Sequence, residues 1–237
     1  MKPLFVTATD TDIGKTCVCA GLAYALKKLD IDVGIMKPFA CGVKQKIGFS
    51  SNDLTILANA AMVDDAEDII NPFFFPIPAS PYTAAKNLGV KIDVKHVMEC
   101  FRKLDEIHDI VLVEGIGGIM TPILKDYAII DLIKDLNANT IIVTSSKIGT
   151  VNHTVLTCNV CKNMNIPIKG LIINNYDSTG YPIPELERDL SALTDLPVLC
   201  SCLLYTSPSP RDATLSRMPG CAWKKRGGGG GGGGGGG

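Results

Sequence analysis

The sequence has little of what marks several broad classes of protein. Only 6% of its 237 residues are aromatic, it holds one tryptophan and three histidines, and its formal net charge is −1. Non-specific nucleic-acid binding needs a basic surface, and no basic patch interleaved with aromatic residues is present. No apolar run approaches the ~20 residues that a membrane-spanning helix requires. We therefore expect neither a nucleic-acid partner nor a membrane.

The sequence also predicts no signal peptide and no paired cysteine framework. Its first residues, MKPLFV, lead directly into an apolar strand, and its nine cysteines are odd in number and scattered. Cys158 and Cys161 form a C-x-x-C motif, but no second Cys or His pair stands at metal-ligand spacing. Zinc and redox sites need a complete ligand set, so we expect neither here. Reduced thiols and a cytoplasmic location are the expectation.

What the sequence does have is enough apolar content for a full core. At 46% hydrophobic residues the length suits one α/β domain. Apolar strands alternate with amphipathic helices, and near-continuous apolar strands such as DIVLVE are typical of parallel sheets. The predicted strands are 4–6, 33–36, 109–114, 140–144, 168–174 and one that begins at 197. One predicted helix begins at 15, and the others span 52–61, 94–108, 128–136, 152–164 and 184–193. This pattern predicts a doubly wound, mainly parallel sheet that binds ligands at the carboxyl ends of its strands.

The alternation stops near residue 202. Residues 203–226 show no apolar period, and residues 227–237 are eleven glycines. We predict that 1–202 is the folded domain and that 203–237 is a non-native or disordered tail. The tail resembles read-through of a sequencing adapter into a run of G, and we predict that it is a sequencing artefact and that the native C-terminal end is missing.

The turn after the first strand ends in Gly14, Lys15 and Thr16. Its backbone N–H groups and the helix that starts at Lys15 form a site for phosphate. Lys15 would reach the β- and γ-phosphates, and the Thr16 hydroxyl would hold Mg²⁺. The pattern GxxxxGK[ST] expects glycine at position 9, where the chain has Thr9. The alternative is an ordinary strand-turn-helix with a surface lysine.

Polar residues follow the other predicted strands as well. Glu114 comes directly after four apolar residues, where nucleotide enzymes place a carboxylate that holds Mg²⁺. With Asp53 and the Thr16 hydroxyl it would complete an oxygen shell for a hard cation. Lys37 and Lys15 would present two ammonium groups to a transferring phosphate. Two alternatives stay open: Asp53 also complements a helix dipole, and Lys37 could be a surface lysine.

Seven motifs between residue 1 and about residue 200 occur in the order and at the spacing of one family. They are TATDTDIGKT, KPFACG, Asn52-Asp53, SPYTAA, LVEGIGG with Pro122 and Leu124, SSKIGTVNHT and LIINN. In these motifs the chain resembles the dethiobiotin synthetase family, a P-loop NTPase fold of three α/β/α layers. That family has five residues between the glycines of its phosphate loop, so the unusual spacing belongs to the family, with Ala8 replacing the first glycine.

The resemblance implies an ATP-dependent cyclo-ligase of biotin biosynthesis. Its substrates would be 7,8-diaminononanoate (7,8-diaminopelargonate), CO₂ or bicarbonate, and ATP with Mg²⁺. A carbamate formed on one amine would attack the γ-phosphate, and the second amine would close the ureido ring of dethiobiotin with loss of phosphate. The family resemblance also implies a homodimer.

The resemblance assigns roles to individual residues. Lys37 and Lys15 would be catalytic, and Thr16, Asp53 and Glu114 would hold Mg²⁺. The residues assigned to ATP binding are Asp12, Ile13, Gly14, Lys15, Thr16, Cys17, Asp53, Glu114, Gly115, Ile116, Gly117, Asn174 and Asn175. Among them, Asn174 would read adenine. The residues assigned to substrate binding are Thr11, Lys37, Cys41, Gly118 and Asn152. Asn152 would help bind the substrate carboxylate across the dimer interface.

One departure from the family and one competing class remain. Cys41 stands where the family usually has serine, and a thiol is a weaker hydrogen-bond donor than a hydroxyl. The competing class is a nucleotide-switch ATPase of the partition or septum-site kind, which acts through partner binding. Such proteins carry an additional lysine near the start of the loop, where this chain has Ala8, Thr9 and Asp10.

Overall fold

The computed structural model describes residues 1–174 and 177–202. Strands and helices alternate along most of this part of the chain. The strands are β1 (Leu4–Ala8), β2 (Val33–Met36), β3 (Phe39–Cys41), β4 (Phe73–Phe75), β5 (Ile110–Glu114), β6 (Pro122–Leu124), β7 (Tyr127–Ala128), β8 (Asn139–Thr144), β9 (Ile168–Ile173) and β10 (Val198–Ser201). The helices are α1 (Lys15–Lys27), α2 (Asn52–Ala61), α3 (Glu67–Ile70), α4 (Pro81–Leu88), α5 (Val94–Ile107), α6 (Ile129–Asp135), α7 (Thr150–Asn163) and α8 (Ile183–Thr194).

Six strands form one parallel sheet in the order β10-β9-β8-β1-β5-β2. The first strand, β1, lies between β8 and β5, so the chain builds outward in both directions from it. Every residue of β5 is buried, which requires cover on both faces of the sheet. Helices α1 and α2 pack against each other, as do α7 and α8. The predicted doubly wound α/β fold is confirmed.

Two small sheets were not predicted. Strands β3 and β4 pair in parallel with Phe39 opposite Phe73, and β6 pairs antiparallel with β7. The rings of Phe39 and Phe73 stack with centroids 5.6 Å apart. Residues 73–75, for which the sequence predicted no strand or helix, therefore form a strand. Pairing between segments more than thirty residues apart leaves no local signal in either one.

Most predicted elements are present with ends that shift by one or two residues. Helix α2 has its predicted bounds, whereas α7 begins at Thr150 rather than at residue 152. The earlier start follows from Gly149, whose φ of +95° is in the left-handed region that glycine enters readily. The predicted tail, 203–237, lies outside the described residues. Within the described part, no helix is both long and apolar enough to cross a membrane.

Candidate functional site

The loop between β1 and α1 turns twice through left-handed backbone. Asp12 has φ of +55° and Gly14 has φ of +81°, and the helix begins at Lys15. At the other end of the loop, the N–H of Thr9 donates to the carbonyl of Val143 on β8 at 2.9 Å. The loop is thus tied to the neighbouring strand, and the N-terminus of α1 opens at the carboxyl edge of the sheet.

Asn174 fastens this loop to the end of β9. Its side-chain N–H group donates to the carbonyl of Ile13 at 2.6 Å, and its backbone N–H donates to the carbonyl of Thr144 at 2.7 Å. A Cβ added to Gly14 would lie 2.2 Å from Nδ2 of Asn174. Both the backbone conformation and the close approach of Asn174 therefore require glycine at position 14.

Gly14→Ala is expected to destabilise the protein and to weaken nucleotide binding. The left-handed backbone alone costs an alanine about 1–2 kcal/mol, and Asn174 must also move. We expect a free energy of unfolding lower by about 1–3 kcal/mol in chemical denaturation. Gly21→Ala is the matched control, because no atom lies within 4 Å of a Cβ there and alanine favours helix α1. Equal stability of Gly14→Ala and wild type would contradict the assignment.

Four side chains meet where β2 and β5 end. The hydroxyl of Thr16 and the ammonium group of Lys37 both donate to Oε1 of Glu114 at 2.8 Å. The ammonium group of Lys37 also pairs with Oδ2 of Asp53, on the first turn of α2. Lys37 is 5% exposed and Glu114 is 2% exposed. The parallel sheet brings these residues together from positions up to 98 apart in the chain.

The two lysines of the site differ in their electrostatic surroundings. Burial lowers the pKa of Lys15, and attraction to Glu114 offsets this only in part. Burial also lowers the pKa of Lys37, but attraction to Glu114 and Asp53 outweighs it and holds that pKa above its ordinary value. Nζ of Lys15 donates to the carbonyl of Asp10 at 3.3 Å. Lys37 is therefore held firmly as an ammonium ion, whereas the positive charge of Lys15 is less strongly stabilised by neighbouring carboxylates.

Two of the buried side-chain oxygens that have no hydrogen-bond partner among the described residues belong to residues predicted to bind ATP. They are Oε2 of Glu114 and Oδ1 of Asn174. A buried acceptor without a partner is costly, and native structures leave few of them. At a site that faces the phosphate loop, such atoms are suited to a ligand.

The segment after β5 lies close to β1. A Cβ on Gly115 would be 2.8 Å from the ring of Phe5, and one on Gly117 would be 2.4 Å from the hydroxyl oxygen of Thr121. Gly117 also has φ of +60°. The glycines let this backbone run beside the start of the phosphate loop, with Ile116 half-buried between them.

Two clefts border the loop and share Thr9, Asp10 and His153. The first has a volume of about 480 Å³ and lies between residues 118–121 and one face of α7. The second, of about 220 Å³, lies between residues 9–13 and the 145–150 segment. Thr11 and Gly118, two of the predicted substrate-binding residues, line these clefts.

The structure brings some predicted residues together and leaves others apart. Thr16, Lys37, Asp53 and Glu114 are linked by the hydrogen bonds and ion pairs described above. Cys41 is half-buried on β3, and burial raises the pKa of its thiol to about 11. Cys17 is exposed on the first turn of α1, and Asn152 is exposed on the first turn of α7. Asn175 lies outside the described residues.

Sequence reasoning missed two polar features of the site. Asn71 is buried and its side chain donates to the carbonyl of Lys37. The hydroxyl of Thr144 lies within hydrogen-bond distance of those of Thr9, Thr150 and Thr154, at 3.2, 2.6 and 2.9 Å. A single Asn or Thr has no spacing that marks it, so no sequence signal pointed to either feature.

A parallel sheet whose central strand enters a Gly-Lys-Thr loop, with a buried carboxylate ending the adjacent strand, defines a P-loop nucleotide-binding domain. A family profile described as "AAA domain" matches residues 2–203. Among solved structures, the septum site-determining protein MinD complexed with Mg-ADP from Pyrococcus horikoshii is similar, with a TM-score of 0.50 and 19% identity over 85% of this chain and 81% of that one. At this identity the likeness shows the fold alone.

Curated relatives are much closer in sequence. The ATP-dependent dethiobiotin synthetase of Nitrosopumilus maritimus is 59% identical over 92% of this chain and 95% of its own length. Those of Bacillus licheniformis and Caldicellulosiruptor saccharolyticus are 39% and 34% identical, over 75% and 84% of this chain and the same shares of their own lengths. The chain belongs to the ATP-dependent dethiobiotin synthetase family, and the nucleotide-switch alternative is not favoured.

Proposed function

We propose that this protein closes the ureido ring of dethiobiotin from 7,8-diaminononanoate and CO₂, with conversion of ATP to ADP and phosphate, in biotin biosynthesis. The observation that carries the proposal is the buried ammonium group of Lys37, held between Glu114 and Asp53 beside the phosphate loop. Synthetases at 59% and 39% identity support the reaction. The geometry supports the roles of the individual residues.

The reaction requires positioning and charge neutralisation rather than a covalent enzyme intermediate. One amine of the substrate adds to CO₂ and loses a proton to give a carbamate. A carbamate oxygen then bonds to the γ-phosphorus as the bond to ADP breaks, and the second amine displaces phosphate from the carbonyl carbon to close the ring. In this proposal Lys37 neutralises the carbamate and Lys15 the transferring phosphoryl group, with Thr11 contacting the carbamate.

Mg²⁺ is part of the proposal, with Thr16, Asp53 and Glu114 as its protein ligands. Oε2 of Glu114, which lacks a hydrogen-bond partner in the part of the chain that the structure describes, fits a cation at this position. No group of three or more His, Cys, Asp or Glu side chains in residues 1–174 and 177–202 is arranged to hold a metal. Two carboxylates and a hydroxyl suit Mg²⁺, which keeps waters and substrate phosphates in its shell. When bound, it would supply positive charge against the β- and γ-phosphates.

For the nucleotide, the residues from Asp12 to Cys17 would surround the phosphates. Their position at the start of α1 supports this assignment, because the helix N-terminus presents unpaired N–H groups. Oδ1 of Asn174, which has no hydrogen-bond partner among the described residues, suits the amino group of adenine. Asn175, which was also predicted to bind ATP, lies outside the described residues. The proposed role of Gly115, Ile116 and Gly117 in ATP binding rests on their position beside β1.

For the diamine, we propose a site that a homodimer completes. Large apolar side chains are exposed around the two clefts, among them Met120, Ile148 and Leu156. A second copy of the chain that covered this face would bury them, and such burial stabilises association. Asn152, exposed at the start of α7, would then reach the substrate carboxylate of the other active site.

The activity is tested by phosphate release from ATP in the presence of bicarbonate, with and without 7,8-diaminononanoate. The assay uses the full chain. We expect phosphate release that depends on the diamine and yields dethiobiotin in equal amount. Phosphate release that ignores the diamine would overturn the proposed function.

Cys41→Ser is expected to lower the KM for the diamine. Because the Cys41 thiol has a pKa of about 11, it stays protonated at neutral pH and offers only a weak S–H donor. A hydroxyl hydrogen bond adds about 0.5–1.5 kcal/mol, which corresponds to a severalfold lower KM. The measurement is KM for the diamine at saturating ATP, with Cys158→Ser as a control in a buried position outside the site. An unchanged KM would remove Cys41 from the substrate site.

A further inference from the structure

Asn71 lies directly after α3, next to the end of β2. It is 5% exposed. Its side-chain Nδ2 group donates to the carbonyl of Lys37 at 2.6 Å and to that of Phe73 at 3.2 Å. A single amide group therefore joins the backbone that carries Lys37 to the start of β4.

The backbone of Lys37 is fixed on both sides by this segment. Its N–H donates to the carbonyl of Ile70 at 2.8 Å, and its carbonyl accepts from Asn71. Strand β2 ends at Met36, where its register with β5 also ends. The next residue, Pro38, has no N–H and cannot continue a ladder. The Asn71 side chain thus supplies the donor that a strand would otherwise provide.

The side-chain oxygen of Asn71 does not account for the presence of an amide at this position. Oδ1 is buried and has no hydrogen-bond partner within the described residues. An unpaired buried acceptor costs about 1–3 kcal/mol, a penalty that an apolar side chain of similar shape would avoid. The two donated hydrogen bonds are what distinguish asparagine from leucine here, and the shorter one holds Lys37.

We propose that Asn71 is a positioning residue for Lys37, the ammonium group of which neutralises the carbamate; this inference rests on the proposed function. Asn71 holds the backbone from which the Lys37 side chain reaches Glu114 and Asp53. Without it, the ammonium group can shift relative to the reacting atoms. Displacements of about 1 Å can reduce turnover by about 10²-fold even when substrate binding is intact.

The test is a double-mutant cycle on turnover. Asn71→Leu keeps the size of the side chain and removes both donated hydrogen bonds. We expect kcat to fall by about 10- to 100-fold, while the Kd for MgATP changes by no more than about twofold. In a Lys37→Ala background, the same change should alter the residual kcat by less than about twofold, because the group that it positions is gone.

Thr194→Val is the matched control. Thr194 is buried and donates to the carbonyl of Leu190 at 2.7 Å on α8, outside the site. It should leave kcat within about twofold of wild type. Should Asn71→Leu fail to fold, Asn71→Ala, which also removes both donated hydrogen bonds, takes its place in the cycle.

The outcomes separate this inference from the proposed function. Wild-type kcat in the Asn71 variant would overturn the inference, and so would an equal loss of kcat in the wild-type and Lys37→Ala backgrounds, which would mark a general structural role. If wild type itself released no phosphate in response to the diamine, the proposed function would fail first.

Discussion

Lys37→Ala should lower kcat by about 10²–10³-fold and leave the Kd for MgATP nearly unchanged. The ammonium group is buried against Glu114 and Asp53, so its charge acts where water screens little. In the proposed reaction, negative charge develops on the carbamate as it forms and on the leaving ADP oxygen as the phosphoryl group is transferred, and a fixed cation stabilises these states more than bound ATP. The loss should therefore appear in turnover.

The measurement pairs steady-state kinetics with calorimetric binding of MgATP. Lys169→Ala is the control, since Lys169 is exposed on β9 away from the carboxyl edge, and both its kcat and its Kd should match wild type. Equal losses in kcat and in MgATP affinity would assign Lys37 to nucleotide binding alone.

Glu114→Gln should abolish tight cation binding and reduce turnover by more than about 10²-fold. The carboxylate accepts from Thr16 and Lys37, and its second oxygen has no hydrogen-bond partner in residues 1–174 and 177–202. An amide of the same size removes the negative charge that attracts Lys37 and, in the proposed function, Mg²⁺. Removing one partner of a buried ion pair costs about 3–5 kcal/mol, and we expect the lower end because Asp53 still contacts Lys37.

Two readouts besides activity test this prediction. Mn²⁺ binding in the presence of ADP, followed by electron paramagnetic resonance, should be lost, and chemical denaturation should show the lower free energy of unfolding. Glu106→Gln, at an exposed position of α5, should change neither. If Glu114→Gln bound Mn²⁺ as wild type does, Glu114 would not be a metal ligand.

Local sequence signals were sufficient for the central architecture. The near-continuous apolar run of β5 predicted a strand buried on both faces, and all five residues of the strand are buried. Helix α2 has its predicted bounds because its first turn and its apolar face are both encoded locally. The position of Glu114 at the end of a strand followed from the same run, because parallel strands end at one edge.

Features that depend on distant pairing were not accessible in this way. Strand β4 forms because Phe73–Phe75 pairs with Phe39–Cys41, and neither segment alternates clearly enough to indicate a partner. The role of Asn71 was not predicted either, because its neighbours in the sequence do not distinguish it from an ordinary turn residue. Gly14 was predicted to serve the phosphate loop, but its contact with Asn174 depends on where β9 ends.

The sequence by itself determined the class of fold, the phosphate loop and the family, because these rest on periodicity and on motifs within short segments. Tertiary structure alone decided that Lys37 lies between Glu114 and Asp53 and that Asn71 holds its backbone. Those contacts join residues 16 to 77 positions apart, and only packing of the sheet brings them within hydrogen-bond distance. The charge balance of the site, including the raised pKa of Lys37, follows from that packing and the burial it produces.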